Sequence, residues 1–100
     1  MQRKVVKEMK WWGKYSLEDI KKAHEFSSNH REQLLQDKKC GCFCCGRIFT
    51  PQDIVNWIDW GPDSEGTAMC PCCFVDAVIG ESSGYPITEE FLEEMHMYWF

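Results

Sequence analysis

Cys42-Phe43-Cys44-Cys45 and Cys70-Pro71-Cys72-Cys73 each hold two cysteines at C-x-x-C spacing, with 24 residues between the pairs. At that spacing one short turn points two sulfurs at a single ion, and two such turns make a four-cysteine tetrahedron, the usual geometry of structural zinc. Gly46 follows the first pair, where the chain must turn with positive φ and bare N–H groups face sulfur. Pro71 lies inside the second pair, just before an apolar run. Zn(2+) held by Cys42, Cys45, Cys70 and Cys73 is the strongest chemical expectation this chain carries.

Cys40, Cys44 and Cys72 are left over. Cys40 and Cys42 form a C-x-C, so registers 40/42 and 42/44 compete. The 42/45 register alone matches the second pair and is followed by glycine. The same four ligands would suit an iron–sulfur centre, and the spare thiols with a histidine leave room for a second ion, though no further C-x-x-C exists to hold one. Four thiolates fill zinc's coordination sphere and leave no position for a water, so the ion is expected to be structural. The centre would carry a net charge of about −2, which Lys38, Lys39 and Arg47 are placed to balance.

The densest polar stretch outside the cysteines is residues 23–31, AHEFSSNHR. His24, Asn29 and His30 are the candidate catalytic residues there, as general acid–base groups or an anion site. On one continuous helix His24 and His30 lie about 120° apart around the axis, which is poor for a shared ligand; a break at the serines would change that. A semi-buried histidine beside a capping cluster explains the same residues without chemistry. The loop Ser82-Ser83-Gly84-Tyr85 lacks any phosphate-loop pattern. Asp76 suits the first turn of a helix, His96 reads as a boundary residue on the last helix, and Trp11-Trp12 beside lysines could form a partner-binding edge.

The elements that must position these groups are short. Residues 1–15 read as a strand, a helix or a loose arm. Ser16 with Asp19 opens a helix whose face carries Leu17, Ile20, Ala23 and His24. The Ser27-Ser28-Asn29 break leaves one kinked helix or two, the second capped by Asn29 with Glu32 and including Leu34 and Leu35. Thr50-Pro51-x-Asp53 is a helix start, with Ile54, Val55, Trp57 and Ile58 on its buried side. Gly61 to Gly66 is a turn cluster. Residues 67–69 lead extended into the second knuckle, and residues 74–79 read as a short helix stopped by Gly80. Thr88 caps a last helix with Phe91, Leu92, Met95, Tyr98 and Trp99 in one stripe.

One hundred residues, 44% apolar and 14% aromatic, fit one domain with a core of its own. Residues 16–37 are helical, 38–80 carry the knuckles and 87–100 the C-terminal helix. The charged N-terminus has no signal-peptide apolar stretch, and no run reaches membrane-spanning length. Seven cysteines without a secretion signal fit a reducing, cytoplasmic setting and metal ligation over disulfides. The net charge of −5 is split: all 11 Lys and Arg lie between Arg3 and Arg47 with six acids, and ten acids with no cation follow. The overall sign argues against a general nucleic-acid binder, while the basic N-terminal half keeps local nucleic-acid binding as an alternative.

A knuckle, an excursion and a second knuckle opening a helix is the treble-clef pattern; a strand after the second knuckle would be the zinc-ribbon pattern. The expected fold is therefore α+β, small and mostly helical, with a zinc-stabilised treble-clef-like (or zinc-ribbon-like) core, an N-terminal helix or helix pair and a C-terminal amphipathic helix. The segments AHEFSSNHR, CGCFCCGRIF, GTAMCPCC and IGESSGYPITEEFLEEMHMYWF together resemble a widespread family of small uncharacterised bacterial cytoplasmic proteins, over residues 15–100. The resemblance implies zinc at the two C-x-x-C pairs. Family members tend to carry an aromatic at the positions of Cys44 and Cys72, which sets those two apart as non-ligands, and glycine at the position of Phe74. It implies no activity, but marks the 24–30 stretch and the 82–85 loop as family motifs. The functional expectation is a protein-interaction module with an unidentified protein partner and no membrane; the enzymatic alternative is nuclease-like, using His24, Asn29 and His30.

Overall fold

The computed structural model describes residues 13–59, 62 and 66–100. The expectations for Trp11-Trp12, for most of the N-terminal segment and for most of the 61–66 turn lie outside the described residues. Three α-helices and two small sheets follow in the order α1 (Leu17–Ala23), α2 (Arg31–Leu34), β1 (Cys40–Cys42), β2 (Ile48–Phe49), β3 (Trp57–Ile58), β4 (Thr67–Ala68), β5 (Val78–Gly80) and α3 (Glu89–Trp99). One sheet is antiparallel in the order β2-β1-β5; the other is the β3-β4 hairpin.

The N-terminal helix breaks where its pattern breaks. Ser16 Oγ accepts from the Asp19 N–H at 3.1 Å, α1 runs seven residues, and a 3-10 turn over His24–Ser27 ends it. Asn29 then takes φ 49°, the left-handed region that asparagine tolerates. It does not cap α2. His30 stands at that N-cap without a side-chain bond, and the His30 and Arg31 N–H groups both donate to Gly66 O. Leu34 is buried and Leu35 faces solvent.

Two expected helices are strands instead. Thr50 and Asp53 form their start signal, with Thr50 N–H donating to Asp53 Oδ2 at 3.1 Å, but the turn lasts only Pro51–Asp53. Ile54 is already extended. Val55, Trp57 and Ile58 are β-branched or aromatic and fit a pleated ribbon better than a helix, so Trp57 and Ile58 pair with Ala68 and Thr67. Ile54 is buried, but Val55 is 74% exposed. Residues 74–79 likewise form no helix: Val78–Gly80 is β5, paired with β1 as Cys40–Gly80, Gly41–Ile79 and Cys42–Val78. A six-residue apolar run fits either state, and the open edge of β1 supplies hydrogen bonds that a lone turn of helix lacks. Gly80 is therefore a strand residue; a Cβ there would collide with Leu34 and Asp37. Asp76 lies in an exposed bend with no helix end to serve.

α3 forms as its stripe predicts. Thr88 Oγ1 accepts from Phe91 N–H at 3.2 Å, and Phe91, Leu92 and Met95 are fully buried against Ile20, Ala23, Cys40, Phe43, Val78 and Ile79. Each such large apolar side chain contributes roughly 1.5–3 kcal/mol by burial. Two hydrogen bonds fix α3 on the N-terminal region. Trp99 Nε1 donates to Ile20 O, and the buried Glu94 carboxylate accepts from the Lys14 and Tyr15 N–H groups at 2.7 and 3.0 Å. Among the described residues no helix is long and apolar enough to cross a membrane.

Candidate metal centre

The two cysteine pairs are carried by one turn used twice. In the first, Cys42 N–H donates to Arg47 O, Gly46 N–H to Cys42 O, and Cys44 N–H to Cys42 Sγ at 3.3 Å. In the second, Cys70 N–H donates to Val75 O, Phe74 N–H to Cys70 O, and Cys72 N–H to Cys70 Sγ at 3.3 Å. Each turn needs its fifth residue at positive φ. Gly46 takes 81° without cost, and Phe74 takes 62° against its Cβ. β1 delivers Cys42 and leads into the first turn, and β5 carries the chain from the second turn back alongside β1.

The four sulfurs of Cys42, Cys45, Cys70 and Cys73 lie within 4.8 Å of one another, close enough to hold a metal ion. The cross-turn pairs Cys42–Cys73 and Cys45–Cys70 are each 3.6 Å apart. A tetrahedral ion with bonds of about 2.3 Å sets sulfurs roughly 3.8 Å apart, so the donor set fits. No other group of three or more His, Cys, Asp or Glu side chains gathers as tightly among the described residues.

The electrostatics of the four thiols show what a cation would relieve. Burial pushes the thiols of Cys42, Cys45 and Cys73 up, against N–H groups aimed at their sulfurs. Cys70 moves the other way. Burial raises it, but the N–H groups of Cys73 and Cys72 and the thiols of Cys45 and Cys73 all favour its thiolate and outweigh that. Three sulfurs are thus pushed toward the thiol, whose protons an ion would displace, and Cys70 is shifted toward the thiolate. Arg47 contributes to the centre through its backbone, while the Lys38 and Lys39 N–H groups donate to Glu81 Oε1.

The spare cysteines separate by environment. Cys40 is fully buried in β1, its thiol donates to Phe49 O, and burial, then Asp37, pushes it up to about 12. Cys44 is half-buried and Cys72 exposed.

His24, Asn29 and His30 are not brought together. His30 is 3% exposed; its Nδ1 faces Phe26 O at 2.7 Å and so donates, and its Nε2 accepts from Ala68 N–H at 3.0 Å. Both ring nitrogens of this neutral imidazole are used to tie the 24–30 segment to β4. His24 is exposed and lies tilted against Trp99 with ring centroids 4.1 Å apart. Asn29 N–H donates to Thr67 Oγ1, and Asn29 lines a groove of about 490 Å³ with Ser82 and Asp37, which neither histidine lines. Ser82 Oγ and N–H both donate to Asp37 Oδ2, and Ser83 Oγ donates to Gly80 O, so the 82–85 motif is a loop held shut on itself and on α2's end.

His96 does more than mark a boundary. It faces a cavity beside the first knuckle together with Glu93, and their i, i+3 spacing was a signal in the sequence. No family model, no curated protein and no solved structure matches this chain.

Proposed function

We propose that Cys42, Cys45, Cys70 and Cys73 hold one zinc ion in a structural role, in a ribbon-like pair of knuckles, and that the protein is a cytoplasmic module that binds another protein. The observation that carries the metal reading is the repeated turn, with the same three hydrogen bonds and positive-φ fifth residue in both halves. A strand after the second knuckle supports the ribbon-like arrangement over a treble clef. Four thiolates would use every zinc bond, which supports a structural ion over a reactive one. The interaction reading draws support from Phe74, which is 58% exposed in a backbone state that disfavours it. Strain kept at an exposed aromatic is a mark of a contact residue.

Elemental analysis of the purified protein tests the metal: one zinc per chain is expected, and a folded, metal-free protein overturns it. Affinity capture from a bacterial lysate, repeated with Phe74→Ala, tests the partner. A partner lost with Phe74→Ala is the expected result; a monomeric protein that captures nothing overturns the interaction reading.

A further inference from the structure

A cavity of about 320 Å³ opens beside the first knuckle, lined by Cys44, Cys45, Gly46, Glu89, Leu92, Glu93 and His96. Glu89, Glu93 and His96 stand at i, i+4 and i+7 on α3, and so share one exposed face of that helix. Leu92 is the buried floor, and Cys44 brings a thiol that the four-sulfur centre does not use.

The histidine is prepared as a donor. Its Nδ1 lies 3.2 Å from Phe43 O. A carbonyl only accepts, so Nδ1 carries the proton and Nε2 of the neutral ring keeps its lone pair. A ligating histidine is usually oriented in this way, by a carbonyl on its far nitrogen. The ring is also held by stacking on Phe100, with centroids 5.4 Å apart.

The charge of the cavity selects the occupant. With the proposed ion in place, the four-thiolate centre at its wall carries about −2. Glu89 and Glu93 add two more negative charges, and neither has a side-chain partner among the described residues. Among the described residues no Lys or Arg lines the cavity. The helix N-terminus accounts for Glu89, but not for Glu93 and His96 further along. A negative focus lined by imidazole nitrogen, carboxylate oxygen and thiol sulfur suits a borderline divalent transition ion.

We infer that Glu93, His96 and Cys44, with Glu89, form a second, exchangeable site for a divalent transition-metal ion beside the four-cysteine centre. These side chains are less tightly gathered than the four sulfurs, so the site closes by rotation of exposed side chains and binds more weakly than the centre. The charge argument rests on the structural-zinc reading.

Cobalt(II) titration of the reduced, metal-stripped protein separates the two. The first equivalent should give thiolate charge-transfer bands, and the second a distinct, weaker spectrum with nitrogen and oxygen character. Calorimetry of the zinc-loaded protein should then show a second zinc with a Kd below about 10 µM. His96→Ala and the double variant Glu89→Gln/Glu93→Gln should each weaken that second event at least about tenfold and leave the first spectrum intact. The acid-to-amide pair lies on the exposed face of α3, so it remains informative even if His96→Ala perturbs the fold. A wild-type protein that keeps the first spectrum but takes no second ion overturns the second site alone. So does a second event of unchanged affinity in both variants. A first equivalent without thiolate bands overturns the four-sulfur reading and this inference with it.

Discussion

Phe74 occupies in the second knuckle the place that Gly46 occupies in the first. Both donate a backbone N–H to the carbonyl of the first cysteine, at 3.0 and 2.8 Å, and both have positive φ, 62° and 81°. The turn thus imposes a left-handed residue at its fifth position, whatever side chain the sequence supplies there.

Exchanging these two positions should move stability in opposite directions. A Cβ at Gly46 would meet nothing within 4 Å, so Gly46→Ala tests the backbone alone and should cost about 1 kcal/mol. Phe74→Gly removes the same strain and should be neutral to stabilising by up to about 1 kcal/mol, because glycine's greater freedom in the unfolded chain offsets part of the gain. Urea unfolding of the metal-loaded proteins measures both.

Removing one ligand should cost the whole centre. Cys42→Ser or Cys73→Ser is expected to lose the ion and melt well below wild type, as is the wild type with a strong chelator, since metal binding energy here is folding energy. Circular dichroism melts with parallel metal analysis check it.

Stability of the metal-loaded protein should fall as pH falls. The bound state carries four thiolates, while the unfolded chain's thiols hold protons below about pH 8.5. The unfolded state therefore binds more protons, and stability is lost on acidification by up to about 5 kcal/mol per pH unit. Among the four thiols burial raises Cys42, Cys45 and Cys73 while Cys70 is lowered. Adding zinc near neutral pH should consequently release about three to four protons, read with an indicator dye in weak buffer.

Maleimide should distinguish the three spare thiols. Cys44 and Cys72 are accessible, whereas Cys40 is fully buried with its thiol pushed up to about 12. The protein loaded with one zinc per chain should label at Cys44 and Cys72, and Cys40 only after unfolding. Mass spectrometry of the digested protein locates the labels.

His30→Ala should destabilise by about 2–4 kcal/mol. It opens a cavity at a residue 3% exposed and leaves the Phe26 carbonyl and Ala68 N–H without their partner. His24→Ala, at an exposed ring tilted against Trp99, should cost less than about 1 kcal/mol. A large gap between the two melting curves is the expected outcome.

The four-sulfur cluster was legible because its halves are local: two sulfurs three residues apart in one turn are fixed by spacing, whatever surrounds them. The caps at Ser16 and Thr88 and the α3 stripe were legible for the same reason, since each is written within one or two turns of helix. Residues 54–58 and 74–79 were not legible. Their β-branched and aromatic residues fit helix or strand over so few positions, and pairing partners far along the chain, β4 and β1, decided for strand. The same distance along the chain hid what the histidines do. Only the folded chain sets the Ala68 N–H against His30 and the Phe43 carbonyl against His96, so that one ring is spent on structure and the other is turned toward a cavity. Sequence spacing chose the sulfurs, and long-range hydrogen bonding chose the roles of everything around them.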